Sequence, residues 1–517
     1  MSATAVLLLL FLLLLAVLFI WRWRHFSYFK RLGIPGPKPN LIWGNLMEYH
    51  SSHLYEAVGG WIKQYGDLFG FFNGDVPFVV TQDLELIELV FVRKFQNFMN
   101  RGLTMMTDQM HPYLGKSIIH VNAPMWKSIR NSVAYGFSAT KLKQMMPYFE
   151  EDVNFLMKSL EKCADTGEEV QMMRKYEQLS MDFVARGCFG IDERFQGQPE
   201  HPLFDMTRTA CCQLMTGPFH MIAQSTTSLG PIMKLVCRLS LLIGDFVFDT
   251  VTAQTSKIIE MRKKDPSLRK PDILQNLLDA EYIESEAGGS AGQGENGIVK
   301  SRALTTEEVI TSAATLFIAG YETVVTSLSY VTFTLAKYPD IQEKVRQEIE
   351  DCVSKDGKLD YETVMKKLSY LDQVMSETFR LYPPGLTFVT RQAKEDFEYK
   401  GLKFKAGTCF MVPQFQIQRD PRYWPNALEF NPDRFAPENE ANIKKMAFVP
   451  FGIGPRNCVG QRIADLQVKY TVARLLQKYR LELGSSQLGA MKMGSRAMVS
   501  MPARGPWITF HRLKKST

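Results

Sequence analysis

The sequence predicts a mainly α protein with a minor β part, one folded domain behind an N-terminal transmembrane helix. Three observations carry this. Met1 to Trp21 bear no charged side chain, and about 20 apolar residues in a helix span the roughly 30 Å hydrocarbon layer of a membrane. Between about 50 and 380 helical patterning dominates, with long stretches free of proline. Between about 385 and 415 the texture turns to short alternating runs such as FEYKGLKFKAGTCFMV, with Gly401 and Gly407 as turn residues. Similar runs return after 480, and both read as short strands.

Residues 1–25 form the anchor. Arg22, Arg24, Lys30 and Arg31 follow the apolar run at once, and Trp21 and Trp23 suit the interface. Positive charge after the helix keeps that end cytosolic. A cleaved secretory signal would carry its charge before the apolar run and end in small residues. Bulky aromatics stand there instead, so the anchor is expected to stay uncleaved. Residues 26–49 make a basic, proline-rich linker. Pro35, Pro37 and Pro39 cannot extend the helix and favour extended chain, a stiff spacer before the domain at 50–517.

Within that domain the clearest element is the helix expected over 305–337. Thr305 or Thr306 can cap its start, Glu307 and Glu308 suit its first turn, and Pro339 lies just past its end. At about 50 Å it would cross the domain. Its middle is apolar on most sides, so it should be buried. The Gly- and Ser-rich stretch 286–297 before it reads as a surface loop.

Composition narrows the function classes. Net charge is +7 with a pI near 8.8, which suits an anionic membrane surface or an acidic protein partner. No stacking-aromatic or basic-helix motif points to nucleic acid. The eight cysteines follow neither zinc spacing nor a dense disulfide framework, so free thiols in a reducing compartment are expected.

One cysteine has an unusual setting. In FGIGPRNCVG, residues 451–460, Cys458 stands among glycines two residues after Arg456. Behind it Ile463, Leu466, Tyr470 and Ala473 recur at helical spacing. Cys458 therefore sits at a helix start, where the dipole and free N–H groups stabilise a thiolate. Gly454 and Gly460 would let the backbone approach a neighbour closely. A lone cysteine is more often an inert core thiol. The surrounding F-x-x-G-x-R-x-C-x-G pattern favours the other role, a thiolate ligand of haem iron.

Phe451, Gly454, Arg456, Cys458 and Gly460 resemble the haem-binding signature of the cytochrome P-450 haem-thiolate monooxygenases. The resemblance extends over nearly the whole chain. Glu377-x-x-Arg380, in SETFRLYPP, resembles the E-x-x-R motif, and Asn431 to Phe435 the P-x-R-F segment. AGYET, Ala319 to Thr323, is similar to the oxygen-activation motif of the long central helix. Trp126-x-x-x-Arg130 is similar to the early haem-propionate motif. Each is weak alone, but together they stand in family order. The texture of PPGLTFVTRQAKED, FIAGYET and KPDILQNLLDAE resembles the branch holding broad-specificity drug oxidases and thromboxane synthase.

The resemblance implies the cytochrome P-450 fold and haem b with an axial thiolate from Cys458. Buried haem propionates need several cationic partners. Arg130 and Arg456 are candidates, joined by Arg101 and Arg391 through the resemblance; for these two, ordinary surface charge is the competing reading. Trp126 could donate its indole N–H, and Phe451 belongs to the same cofactor-binding set. Glu377 and Arg380 lie at i and i+3 on a helix that Pro383 ends, so their side chains can meet. With Arg434 they are expected to form a partly buried structural network.

Glu322 and Thr323 are the catalytic candidates. In the family such a hydroxyl opens a kink, which Gly320 would permit, and supports water that protonates dioxygen. The plain alternative is a hydrogen bond from Thr323 to the Ala319 carbonyl four residues back. Val324 stands where many relatives carry a second threonine. Thr315, Ile318, Ala319, Leu386 and Thr387, with the segment 203–240, are the candidates for the substrate pocket.

The implied activity is insertion of one oxygen atom from dioxygen into a lipophilic small molecule. The setting is the endoplasmic reticulum membrane, with the catalytic domain cytosolic. Implied partners are membrane lipids, an NADPH-dependent flavoprotein reductase and cytochrome b5, with Lys127, Arg130, Lys141, Lys143, Lys444 and Lys445 as a candidate docking face. Xenobiotic detoxification is the leading role, and an endogenous steroid, fatty acid or terpenoid the alternative substrate. A peroxide-rearranging isomerase of the same fold is the rival reaction, and a haem-thiolate sensor or electron carrier a third class. The Glu322–Thr323 pair weighs against the isomerase, which needs no proton delivery to dioxygen.

Overall fold

The computed structural model describes the chain except for residues 1, 51–52, 103–113, most of 214–246, 283–303, 355–356, 488, 497 and 514–517. The loop expected at 286–297 and much of the expected pocket segment 203–240 lie outside the described residues. The described chain is mainly helical, with small sheets at the margins.

The central helix runs from Thr306 to Lys337. Thr305 caps it: its hydroxyl accepts the Glu308 N–H at 3.3 Å, and the Glu308 carboxylate accepts the Thr305 N–H at 2.9 Å. Two otherwise unpaired donors are thereby satisfied at once. Pro339 does more than follow the end, because it opens the next helix, Pro339–Cys352, where a missing N–H costs nothing. From Glu308 to Ala336 the central helix is buried except at Leu316, Ala319, Gly320 and Thr323. That spacing is a single helical face. The helix packs on Met172–Asp182 and on Gln461–Lys478, the helix that follows Cys458, inside one apolar cluster.

The stretch from 50 to 380 is not uniformly helical. Leu68–Asn73 and Val76–Thr81 form an antiparallel hairpin there, paired Asn73 to Val76 across Gly74 and Asp75. Gly74 takes φ +68°, and the flanking Phe and Val residues favour a pleated, half-buried surface. Cys409–Met411 adds parallel to the second strand, and Thr390–Gln392 pairs with it on the far side. Two further hairpins, Phe397–Tyr399 with Leu402–Phe404 and Met493–Arg496 with Val499–Pro502, lie where alternating runs predicted strands.

The N-terminal helix spans Ala3–Phe26, and its length and apolar composition make it a candidate membrane span. Its last turns dock on the hairpin. Arg22 Nε donates to the Leu41 carbonyl at 2.9 Å, and His25 Nε2 bonds the Asp75 carbonyl oxygen at 2.6 Å. Phe26 meets Phe72 edge-on at 4.8 Å. Downstream, Phe29, Ile34 and Leu46 are buried. The proline-rich stretch expected as a spacer therefore lies against the body, because its aromatic and aliphatic residues find apolar partners there.

Candidate active site

Among the described free cysteines only Cys458 is exposed. Cys188 and Cys409 are buried, and desolvation pushes their thiols far up. Cys458 ends a tight loop closed by its own N–H on the Phe451 carbonyl at 2.8 Å. Gly454 makes the loop possible. It takes φ +70°, and a Cβ there would stand 2.0 Å from the Phe91 carbonyl oxygen. Gly460 does not need close approach: a Cβ would meet only Ile463 Cγ2 at 3.7 Å and the Cys458 sulfur at 4.0 Å. It is instead the N-cap of Gln461–Lys478, and its N–H bonds the sulfur. Although Cys458 is accessible, the protein mass around it desolvates the thiol and pushes it up, while the Gly460 N–H and the charges of Arg130 and Arg101 pull it down.

Arginines gather around this loop. Arg130 donates to the Asn457 carbonyl at 2.7 Å and to Asn457 Oδ1 at 2.8 Å. Arg101 reaches the Arg456 carbonyl at 2.9 Å, and Arg391 the Ile453 carbonyl at 2.9 Å. Arg456 is buried with its guanidinium 4.6 Å from the centroid of the buried Trp126 ring. Arg101, Arg130 and Arg391 form no ion pair among the described residues, and the buried Nε atoms of Arg101 and Arg391 lack a hydrogen-bond partner. Burial, then the charges of Arg101 and Arg456, hold Arg391 well below the usual arginine range. Burial lowers Arg101 to about 10. Arg101 and Arg391 are thus not ordinary surface charge. Buried like charges without carboxylates are a costly arrangement that an anion would relieve.

The family model of cytochrome P450 matches residues 34–510. The chain belongs to the cytochrome P450 family. It is 30% identical over 491 residues to cytochrome P450 3A14 of Cavia porcellus, covering 94% of this chain and 93% of that protein. It is 30% identical over 486 residues to cytochrome P450 3A2 of Rattus norvegicus, covering 92% and 90%. Thromboxane-A synthase of Sus scrofa is as similar, 30% over 511 residues, covering 93% and 92%. The family is one of haem-containing oxidoreductases, and this P450 is a monooxygenase by membership.

Behind the Cys458 loop of this P450 lies an ion-pair network with a wholly buried pair at its centre. Glu377, on the helix Ser369–Leu381, accepts from Arg380 Nε at 2.7 Å and Nη2 at 2.9 Å. Arg380 also donates to the carbonyls of Gln418 and Ala427 at 2.8 and 2.7 Å. Glu377 Oε1 also accepts from Arg434 Nε at 3.3 Å and from the Asn431 N–H at 2.9 Å. The pair is fully rather than partly buried, with both side chains at 0% exposure. It ties that helix to the chain entering the Cys458 loop.

On the central helix, Thr323 donates to the Ala319 carbonyl at 2.7 Å. The helix runs unbroken through Gly320, whose missing Cβ leaves room for Val184, 3.3 Å from where it would stand. Ser180 donates to the Tyr321 carbonyl at 2.9 Å. Glu322, buried at 5%, pairs with Arg496 Nη1 at 2.5 Å. Thr315 and Ile318 are buried on the flanks of the open stripe, and Leu386 and Thr387 are buried on the segment after Pro384.

Sequence reasoning missed Leu316, Ser180 and Arg496. Leu316 was within reach, since it shares the period of Ala319 and Thr323. Of the surface cations, Lys127, Lys143, Lys444 and Lys445 are exposed and Lys141 is half-buried, and Lys445 lies 3.7 Å from Glu440. Lys143 pairs with Glu362 at 2.5 Å, and Arg130 turns inward to Asn457 rather than outward.

Proposed function

We propose that this P450 is a membrane-bound haem-thiolate monooxygenase of the endoplasmic reticulum, acting on lipophilic small molecules with electrons from NADPH through a separate flavoprotein reductase. The observation that carries the reading is the pairing of one accessible cysteine with Arg101, Arg130 and Arg391, which have no carboxylate of their own among the described residues. Both halves fit haem b: a thiolate for the iron, and cations for two propionates. Cys458 would hold the iron, and Arg101, Arg130, Arg391 and Arg456 the propionates, with Trp126 stacked under Arg456 and Phe451 bracing the loop. When bound, the group activates dioxygen for insertion of one atom into the substrate.

The protein's own residues do the rest. Glu377, Arg380 and Arg434 fix the chain that presents Cys458. The mostly apolar central helix excludes bulk water, and its open stripe at Leu316, Ala319, Gly320 and Thr323 leaves a narrow face for substrate. A threonine hydroxyl that donates to Ala319 keeps acceptor lone pairs. Thr323 can therefore hold a water at that face, and Glu322, kept a carboxylate by Arg496, takes part in the relay as a proton acceptor. Cytochrome b5 would serve as a second electron donor, docking with the reductase on exposed lysines such as Lys127 and Lys444. Similarity to the cytochrome P450 3A proteins supports a role in detoxification.

Similarity to thromboxane-A synthase supports a second reading, a peroxide-rearranging isomerase. The AGYET segment opposes it. The full-length protein with reductase, NADPH and a panel of lipophiles decides. Products one oxygen atom heavier, formed only with NADPH, are expected. Rearrangement of a peroxide without NADPH, and no oxygenation of any lipophile, would overturn the proposal.

A further inference from the structure

The pair of Glu322 and Arg496 sets charge next to the less buried stripe of the mostly apolar central helix. Arg496 ends the strand Met493–Arg496, and the returning strand Val499–Pro502 fixes the hairpin in place. Thr326 donates to the Ser500 carbonyl at 2.8 Å, which ties the hairpin to the central helix. The Leu386 N–H donates to the Met498 carbonyl at 2.9 Å, and the Ser500 N–H to the Pro384 carbonyl at 2.8 Å. The hairpin's end is therefore held between the open stripe of the central helix and the segment of Leu386 and Thr387. These are the elements that line the substrate face. Arg496 stands at their junction, on a strand whose partner is fixed there by backbone hydrogen bonds.

The two partners are not equally open. The Glu322 side chain is 5% exposed and that of Arg496 20%. An incoming molecule thus meets the cation and not the carboxylate. A guanidinium carries five N–H donors in a planar fork that fits carboxylates. An anion can therefore share Arg496 with Glu322 or take it over. A cation meets the guanidinium before the carboxylate, and a neutral lipophile leaves the pair intact. Charge-assisted bonds to arginine in a largely desolvated site are stronger than neutral ones.

We infer that Arg496 is a specificity-determining residue that selects lipophilic substrates bearing a carboxylate. This rests on the monooxygenase reading of the same site and narrows its substrate class. Glu322 then acts as an internal stand-in for the substrate's carboxylate until one arrives. Removing that competitor should tighten the binding of acids, an effect a merely structural ion pair would not produce.

The test uses full-length ferric holoenzyme and follows the substrate-induced Soret shift. The probes are palmitic acid and retinoic acid, each against its methyl ester. Wild type should bind each acid about tenfold more tightly than its ester, the smaller end of a charge-assisted hydrogen bond. Arg496→Met should erase that ratio while leaving ester binding within about twofold, and Arg496→Lys should keep part of it. Glu322→Gln should raise acid affinity and leave the esters alone. An unchanged carbon-monoxide spectrum verifies that each variant holds its cofactor; if Arg496→Met does not, the wild-type ratio and the Lys and Gln variants still decide. Equal binding of acid and ester by wild type, no response to either acid, or tighter acid binding absent in Glu322→Gln would each overturn the inference. Oxygenation of neutral lipophiles is read separately and bears only on the monooxygenase reading.

Discussion

Cys458 differs from the other described cysteines by accessibility, by an N–H from Gly460 and by two nearby arginine charges. Replacing its sulfur by a hydroxyl keeps the shape and removes the thiolate. Cys458→Ser should therefore abolish the red-shifted Soret band of the reduced, carbon-monoxide-bound protein; an unchanged band would remove the cysteine from the iron. Thr323 makes a second test. Its hydroxyl bonds Ala319, so Thr323→Ala should cost only about 1 kcal/mol of stability. Substrate binding should persist, while the ratio of product to NADPH consumed falls and peroxide rises. An unchanged ratio would make Thr323 a structural residue. At this level the sequence was informative wherever a motif brings residue types together locally, as around Cys458 and in AGYET. It was silent about Arg496, which lies 174 positions from Glu322. Nothing near Arg496 marks it, because only the hairpin's docking brings the two together. Ser180 was equally hidden, since its hydroxyl reaches a backbone carbonyl rather than another side chain.

The helix Ser369–Leu381 shows how a short motif can act through a whole element. Glu377 and Arg380 were readable as i, i+3 neighbours, but their depth was not, because depth comes from the loop 418–434 folding over them. A buried pair is costly to break, since the survivor is left charged and unpaired. Arg380→Met should destabilise the holoprotein by roughly 3–5 kcal/mol and lower its haem content, measured by chemical denaturation and absorbance. A loss below about 1 kcal/mol would mark the pair as a solvated one. The central helix was legible because capping, apolar breadth and Pro339 agree along it. The hairpin Leu68–Asn73 with Val76–Thr81 was not, although Asn73-Gly74 is a turn signal. Its run of Phe and Val is buried on both faces, so it lacks the strict alternation that gave away the strands near 400.

Across the whole molecule, the anchor and the body meet at Arg22, His25 and Phe26 rather than across a free tether. Removing residues 2–20 leaves that foot in place and should preserve haem uptake while weakening membrane attachment. Removing residues 2–31 also takes out the buried Phe26 and Phe29. It should lower stability by about 3 kcal/mol or more, at 1.5–3 kcal/mol per buried aromatic side chain. Failure of the shorter truncation to take up haem would mean that the apolar run is needed for folding. The activity itself is decided by following the oxygen atom. The full-length protein, reductase and NADPH would be supplied with a lipophilic substrate under isotopically labelled dioxygen, and the product weighed by mass spectrometry. A monooxygenase places one labelled atom in each product molecule, in step with NADPH consumed. A product carrying no label, formed at the same rate without NADPH, would contradict the reading of this P450 as a monooxygenase and leave the isomerase in its place.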